Sequence, residues 1–424
     1  MTALTIDARD GHTRARAGVL RTAHGDVRTP AFVPLATKAT VKALLPEEVA
    51  GLGYEMVLGN TFHLMLNPGA ELIERFGGLH EFMGWEGPII TDSGGFQVFS
   101  MGHGTVADEI KARQPGGRSR GADGAADRRS KGSSPIGDRR DLRSASQREG
   151  AILSIEEEGV RFRSYVDGSE RFISPEDSMA VQASLRSDIA LVFDECTPFH
   201  VDRDYTERST ERTHRWLERC LSWHGEHGPP GQMVYGISQG GVYEDMRRAS
   251  TRVIAASGCE GVAIGGSLGA EKTQMYEVVG WATDELGGEY ERLPRHLLGI
   301  GEVDDLIRGV ELGIDTFDCA MPTRLGRHGT ALVYDRENRW RVDLSKGNWR
   351  AVEEPLSEDC ACYACSRGLS RAYLSYLVRS KELTGMRLLT EHNLAFLARL
   401  MADLRQAILD GQLSAVAPKL LGGK

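Results

Sequence analysis

The sequence predicts an α/β fold, a closed (β/α)8 barrel with a small subdomain inserted after its eighth strand. Two observations carry the barrel. Eight short apolar runs alternate with longer stretches of helical periodicity, and they span the roughly 250 residues or more that such barrels occupy. A third observation, three cysteines crowded together beyond the last run, carries the subdomain.

The runs, in order, are "AFVPLA" (31–36), "EMVLGN" (55–60), "PIITD" (88–92), "IALVFDE" (189–195), "QMVYGIS" (232–238), "GVAIGG" (261–266), "HLLGIG" (296–301) and "GIDTFDC" (313–319). They are short, rich in Val, Ile and Leu, and suited to parallel strands buried on both faces. The segments between them read as helices. In "SPEDSMAVQASLRSD" Ser174 is the N-cap before a helix-opening Pro175, and in "SQGGVYEDMRRASTRVIAASG" Gly258 closes the helix. Strand and helix in alternation, eight times over, is the TIM-barrel pattern.

A chain of 424 residues with 41% hydrophobic content can bury a large core. No run of about 18 apolar residues occurs, and "MTALTIDARDGHTRARAG" at the N-terminus has no apolar segment behind its charges. Neither a membrane span nor secretion is expected, and the protein is expected in the cytoplasm. Of the seven cysteines, Cys196, Cys220, Cys259 and Cys319 are scattered, whereas Cys360, Cys362 and Cys365 sit together, which suggests a metal and not a disulfide framework. The formal charge of −9 argues against non-specific duplex binding but leaves room for a local basic patch.

Two segments interrupt the alternation. Residues 111–149 carry eleven Lys or Arg against five Asp or Glu, with many Gly and Ser and almost no large apolar residue. They read as a disordered insertion, with a flexible basic arm for nucleic acid as the alternative. The second interruption begins "CACYAC": Cys360, Cys362 and Cys365, with His392 further on, supply three thiolates and an imidazole, a set suited to a closed, structural Zn2+ site. The helix that His392 begins carries Leu397, Leu400, Met401, Leu404 and Ile408 on one face, which would dock on the barrel. The expected organisation is therefore a catalytic barrel over 1–345 with the insertion at 111–149, a zinc-binding subdomain over 346–400 and a C-terminal helix over 401–424.

Barrel enzymes place their chemistry at the C-terminal ends of the strands. Asp92 ends the third run, Asp194 lies at the end of the fourth, Gln239 follows the fifth, Gly265 and Gly266 end the sixth, and Asp318 lies at the end of the eighth. Each Asp taken singly reads equally well as a cap on the next turn. Three acids converging on one rim read as a site.

With "TDSGGFQ" around Asp92, "DECTP" after Phe193, the "SQGG" turn, the "GG" pair, "FDCAMPTR" and the cysteine set in hand, the sequence closely resembles the tRNA-guanine transglycosylases (queuine tRNA-ribosyltransferases) of bacterial type. The resemblance covers nearly the whole chain outside 111–149. It implies exchange of the guanine at wobble position 34 of GUN-anticodon tRNAs for a 7-deazaguanine, on the route to queuosine, without a nucleotide cofactor. Its match to "GIDTFDCAMPTR" makes Asp318 the nucleophile that holds the ribose covalently, and its match to "TDSGGFQ" makes Asp92 the general acid and base. By the same resemblance Asp194 accepts from the guanine N1–H and 2-amino group, the Gln239 amide and the Gly266 N–H meet O6, and Phe96 and Leu298 sandwich the base. Arg324 and Arg327 follow the nucleophile at a spacing that suits a grip on flanking nucleotides, with a solvated basic loop as the plain alternative. Arg367, Arg371, Arg379 and Lys381 are further candidates to face phosphates. The family implies a homodimer.

The chain departs from the family after the glycine pair, where it reads "GGSLGAEK" and Ser267 and Gly269 stand in place of bulkier groups. Cys196 resembles the bacterial pocket, which favours preQ1, while the altered loop leaves room for queuine. The archaeal branch, with its added C-terminal modules, is not expected, because the chain stops about thirty residues beyond His392. The rival readings are an RNA nucleosidase that releases free base, a metal-dependent barrel hydrolase with the three acids as ligands, and a non-catalytic zinc-bearing RNA-binding protein.

Overall fold

The computed structural model describes residues 3–95, 152–197 and 201–422. The expected insertion at 111–149 and the ring of Phe96 lie outside the described residues.

Eight parallel strands close into a barrel, and each falls within or against one of the apolar runs: Ala31–Ala36, Val57–Gly59, Ile89–Thr91, Ile189–Leu191, Met233–Ser238, Gly261–Ile264, Arg295–Leu297 and Thr316–Cys319. The eighth strand pairs with the first in the register Thr316↔Ala31, Phe317↔Phe32, Asp318↔Val33, which completes the ring. Most of these strands are buried along their whole length, as expected of parallel strands covered on both faces. The seventh strand starts one residue before its apolar run, at Arg295. That arginine is tolerated because Asp315, ion-paired with Arg16 at 2.5 Å, accepts the Arg295 N–H, and the Arg295 guanidinium donates to the carbonyls of Leu286 and Gly313. The run's last residues, from Leu298 onward, leave the sheet for the rim.

Helices wrap the strands where the sequence signals place them. Ser174 caps Pro175–Leu185, accepting the Asp177 N–H while the Asp177 carboxylate takes the Ser174 N–H, a reciprocal capping box. Helix Glu244–Ala256 ends just before Gly258, whose φ of 91° is the left-handed turn-off that glycine adopts without a Cβ penalty. An antiparallel sheet of Leu4–Arg9, Arg16–Thr22 and Gly25–Thr29 lies at the N-terminal end of the barrel. There Asp188 accepts the N–H groups of Ile89 and His24 and pairs with the His24 and His80 imidazoles at 2.8 and 3.2 Å. The two rings stack face to face, 3.7 Å apart, and with Asp188 they form a group whose ligand atoms lie close enough together to hold a metal ion.

Beyond the eighth strand come helix Met321–Arg327, the hairpin Thr330–Leu332 with Arg341–Asp343, helices Tyr363–Ser366 and Arg371–Arg379, and the long helix Leu383–Leu409. His392 does not open this helix but lies about two and a half turns in from its start at Leu383, and the helix runs unbroken past residue 400. Leu397, Leu400, Met401, Leu404 and Ile408 form its buried face in one cluster with barrel residues such as Phe32, Val57 and Phe317. Tyr54 donates to the Leu394 carbonyl at 2.7 Å, and Arg405 donates to the carbonyls of Gly18 and Thr29. Among the described residues no helix is long and apolar enough to cross a membrane.

Candidate active site

Asp318 lies in the eighth strand with its side chain 10% exposed. Its Oδ1 accepts the Gly299 N–H at 3.1 Å and stands 3.2 Å from His296 Nε2, while Oδ2 has no hydrogen-bond partner among the described residues. A carboxylate held by one oxygen presents the lone pairs of the other.

Asp92 follows the third strand and is held from the second. Asn60 is the N-cap of helix Thr61–Leu66: its Oδ1 accepts the His63 N–H at 2.9 Å and its Nδ2 donates to Asp92 Oδ2. The Thr61 N–H, the first of that helix, donates to Asp92 Oδ1 at 2.8 Å, so the carboxylate sits on an otherwise unsatisfied backbone donor. Asn60 therefore fixes the helix and the acid together.

The fourth, fifth and sixth strands end in one connected pocket. Asp194, 4% exposed, accepts from Ser93 Oγ at 2.9 Å and from Gln239 Nε2 at 2.6 Å. Burial pushes its carboxyl up to about 6, against the opposing pull of those two hydrogen bonds. Gln239 is fully buried with its Oε1 unpartnered among the described residues, and a Cβ on Gly266 would lie 2.0 Å from that oxygen. Gly266 also has a φ of 74°, so both space and backbone require glycine there. Its N–H is unused among the described residues. A Cβ on Gly265 would lie 3.2 Å from Leu298 Cδ1, which places Leu298 on the same pocket wall.

Arg247 underpins this wall. Its guanidinium, completely buried, donates to the carbonyls of Ser238 at 2.6 Å, Gly265 at 3.0 Å, Gly241 at 3.0 Å and Ser267 at 3.4 Å, tying the loops after the fifth and sixth strands together. Burial brings its guanidinium down to about 9, and half-buried Cys196 is near enough to oppose the shift. The altered "GGSLGAEK" loop is thus held through the Ser267 carbonyl, while Gly269, φ 101°, makes room for Gln274.

Arg324 and Arg327 project from helix Met321–Arg327, Arg324 exposed and Arg327 half-buried with Nη1 unpartnered among the described residues. Burial and the neighbouring Arg324 both lower the Arg327 guanidinium below its ordinary range. Two cations side by side, one with an orphaned donor, suit an anion.

The cysteine cluster forms away from this rim. His392 Nδ1 lies 3.7 Å from Cys360 Sγ and 3.4 Å from the Sγ atoms of both Cys362 and Cys365. Tetrahedral zinc, with Zn–S of about 2.3 Å and Zn–N of about 2.0 Å, requires S···N of about 3.5 Å, so the donor set fits the ion by chemistry and by spacing. The other ring nitrogen, His392 Nε2, is 2.8 Å from the Leu332 carbonyl, an outer partner that fixes the ring. These four residues can hold a metal.

The structure places Asp92, Asp194, Gln239 and Asp318 at or just past strand ends, where the sequence puts them, and joins Asp194 to Gln239. Strand-end logic missed Asn60, Ser93, Arg247 and His296, although Asn60 and His296 stand in quoted runs and Ser93 adjoins Asp92. The partners of Asn60, Ser93 and His296 come from other strands, and Arg247 bonds backbone carbonyls, which carry no sequence signature.

A family model described as TGT, queuine tRNA-ribosyltransferase, matches residues 10–120 and 143–422. A protein named queuine tRNA-ribosyltransferase from Roseiflexus sp. (strain RS-1) is 47% identical over 429 residues, spanning 99% of each chain. Proteins of the same name from Pelotomaculum thermopropionicum and Psychrobacter cryohalolentis are 42% and 41% identical, spanning 96% and 94% of this chain and 95% and 91% of their own. With the match running through both the barrel and the cysteine cluster, the chain belongs to the queuine tRNA-ribosyltransferase, or tRNA-guanine transglycosylase, family of pentosyltransferases.

Proposed function

We propose that the protein exchanges guanine 34 of GUN-anticodon tRNAs for preQ1 through a ribosyl ester on Asp318. The observation that carries this reading is the Asp318 carboxylate, with Oδ1 secured and Oδ2 unpartnered among the described residues, at the same strand ends as the buried polar set of Ser93, Asp194 and Gln239. Oδ2 attacks the anomeric carbon as the C1′–N bond breaks, and the bonding pair leaves on guanine, which takes a proton from Asp92. Asp92 then removes a proton from the incoming 7-deazaguanine, whose nitrogen displaces the ester and returns the electron pair to Asp318. Two displacements at one carbon retain configuration.

Asp194 keeps further lone pairs for N1–H and the 2-amino group beyond those taken by Ser93 and Gln239, and the unused Gly266 N–H supplies a donor for O6 together with the Gln239 amide. Leu298 supports one face of the base, and Phe96 is assigned the other by family resemblance. Cys196 beside the pocket supports preQ1 over the larger queuine. Arg324 and Arg327 hold the flanking nucleotides of the anticodon loop, which lets a chain of net charge −9 bind RNA locally. Cys360, Cys362, Cys365 and His392 hold a structural Zn2+, which supplies a fixed crosslink and takes no part in the exchange. The barrel and the zinc-bearing segment act as the working divisions, with helix Leu383–Leu409 running from the second onto the first, and the protein acts in the cytoplasm. It pairs as a homodimer through the exposed Tyr363, Tyr373, Tyr376 and Leu383 of the zinc-bearing segment.

The test incubates the protein with radiolabelled guanine and an unmodified GUN-anticodon tRNA, beside Asp318→Ala. Label entering tRNA with the wild type alone supports the exchange, and competition by preQ1 against queuine identifies the incoming base. Release of free guanine without incorporation would make the protein a nucleosidase instead.

A further inference from the structure

We propose that His296 is a positioning residue for the nucleophile: with the Gly299 N–H it pins Asp318 Oδ1 and so makes Oδ2 the atom that attacks. The inference rests on the reading of Asp318 as the nucleophile and adds what aims it.

His296 is fully buried in the seventh strand, one strand away from Asp318. Its Nε2 lies 3.2 Å from Asp318 Oδ1 and its Nδ1 lies 2.8 Å from Thr316 Oγ1. The Thr316 hydroxyl, 2% exposed, has no other partner among the described residues, so its hydrogen goes to Nδ1 and the ring proton stands on Nε2, facing the carboxylate. Thr316 thus sets the tautomer, His296 and Gly299 set the carboxylate rotamer, and Oδ2 is left directed at the rim.

The same two donors act in both halves of the exchange. When Oδ2 bonds to C1′, Oδ1 becomes the carbonyl oxygen of the ester and keeps both hydrogen bonds. When the incoming base nitrogen displaces that ester, the C–O pair returns to the carboxylate, and donors already aimed at Oδ1 stabilise the charge as it reappears. The role needs no proton transfer by His296, only a fixed N–H.

The experiment compares wild type with His296→Phe, which keeps a ring without a donor, His296→Gln, whose amide restores an N–H, and Thr316→Val, which removes the tautomer lock. Misdirecting a nucleophile costs about 10²-fold in rate. His296→Phe is expected to lose that factor in kcat with KM for guanine and tRNA within about threefold, His296→Gln to recover at least about tenfold of it, and Thr316→Val to fall between. An unchanged kcat in His296→Phe would overturn the proposal, as would kcat and KM failing together with no rescue by Gln. Should His296→Phe not fold, an unchanged kcat in a folded Thr316→Val protein overturns it by itself. Trapping of the covalent tRNA adduct in Asp318→Ala separates the two readings: an adduct there would sink the nucleophile, whatever His296 does.

Discussion

At the scale of single residues, Asp194 makes the sharpest prediction because burial and function act on it in opposite directions. Its carboxyl is pushed up to about 6 by burial, yet a double acceptor for a guanine edge must be ionised. Guanine affinity is therefore expected to rise up to tenfold per pH unit below about 6 and to level off above it, as followed by calorimetric titration, with Asp194→Asn weak and flat. The folding contribution has the opposite sign. A carboxyl whose folded pKa lies above its unfolded value of about 3.9 is most favourable when protonated, so its contribution is full below that pH and is lost, to about 3 kcal/mol, as pH rises through about 6. Gly266→Ala is the second test here. Its Cβ would stand 2.0 Å from Gln239 Oε1 at a φ of 74°, so about 1–3 kcal/mol of stability and most guanine binding should go together, read by thermal unfolding and titration. Residues of this kind were unevenly legible. Asp92, Asp194 and Asp318 were readable because an acid at a strand end breaks an apolar pattern. Ser93 and Asn60 were not, since only the folded rim reveals that they hold Asp194 and Asp92.

At the scale of elements, the pocket depends on one helix holding two loops. Glu244–Ala256 delivers Arg247 to four carbonyls, and Gly240, where a Cβ would meet the Arg247 backbone nitrogen at 2.6 Å, lets the turn lie against that helix. Arg247→Met should leave several buried carbonyls without donors, at about 1–3 kcal/mol each where water does not replace the guanidinium. Because those carbonyls belong to the loops that carry Gln239 and Gly266, KM for the incoming base should rise more than kcat falls, measured by steady-state exchange. The barrel strands were legible because parallel strands covered on both faces must be apolar on both. Where a strand began with a charge, as at Arg295, the start was hidden, since only the folded Asp315 shows how the backbone at that charge is accommodated. The long helix was misplaced at its start for a related reason. Gly385 near that end reads as a breaker, but a Cβ there would stand 2.8 Å from Leu377 Cβ, so it is a packing glycine that lets Arg371–Arg379 approach.

At the scale of the whole molecule, helix Leu383–Leu409 joins three functions that lie far apart in sequence. His392 ties it to the cysteine cluster, Leu397 to Ile408 tie it to the barrel, and Asn393 ties it to helix Met321–Arg327, which carries the arginines proposed to hold RNA. Asn393 donates to the carbonyls of Pro322 at 2.9 Å and Thr330 at 3.0 Å and accepts the Leu332 N–H at 2.7 Å. Gly326 lets helix Met321–Arg327 lie backbone to backbone on Thr390, where a Cβ would come within 2.6 Å of the Thr390 nitrogen. Zinc at the cluster would therefore hold the platform for Arg324 and Arg327, while the Asp194 pocket stands on strands that do not touch it. Removing the metal with a chelator should leave guanine affinity within about twofold and weaken tRNA binding about tenfold, the loss expected if the helix end loosens by about 1.4 kcal/mol. Metal analysis before and after chelation, guanine titration, filter binding of tRNA and restoration by added zinc make the comparison. Equal loss of both ligands would mean that the metal supports the barrel as a whole, and no loss of either would mean that docking of Leu397, Leu400, Met401, Leu404 and Ile408 is sufficient to hold the platform without it.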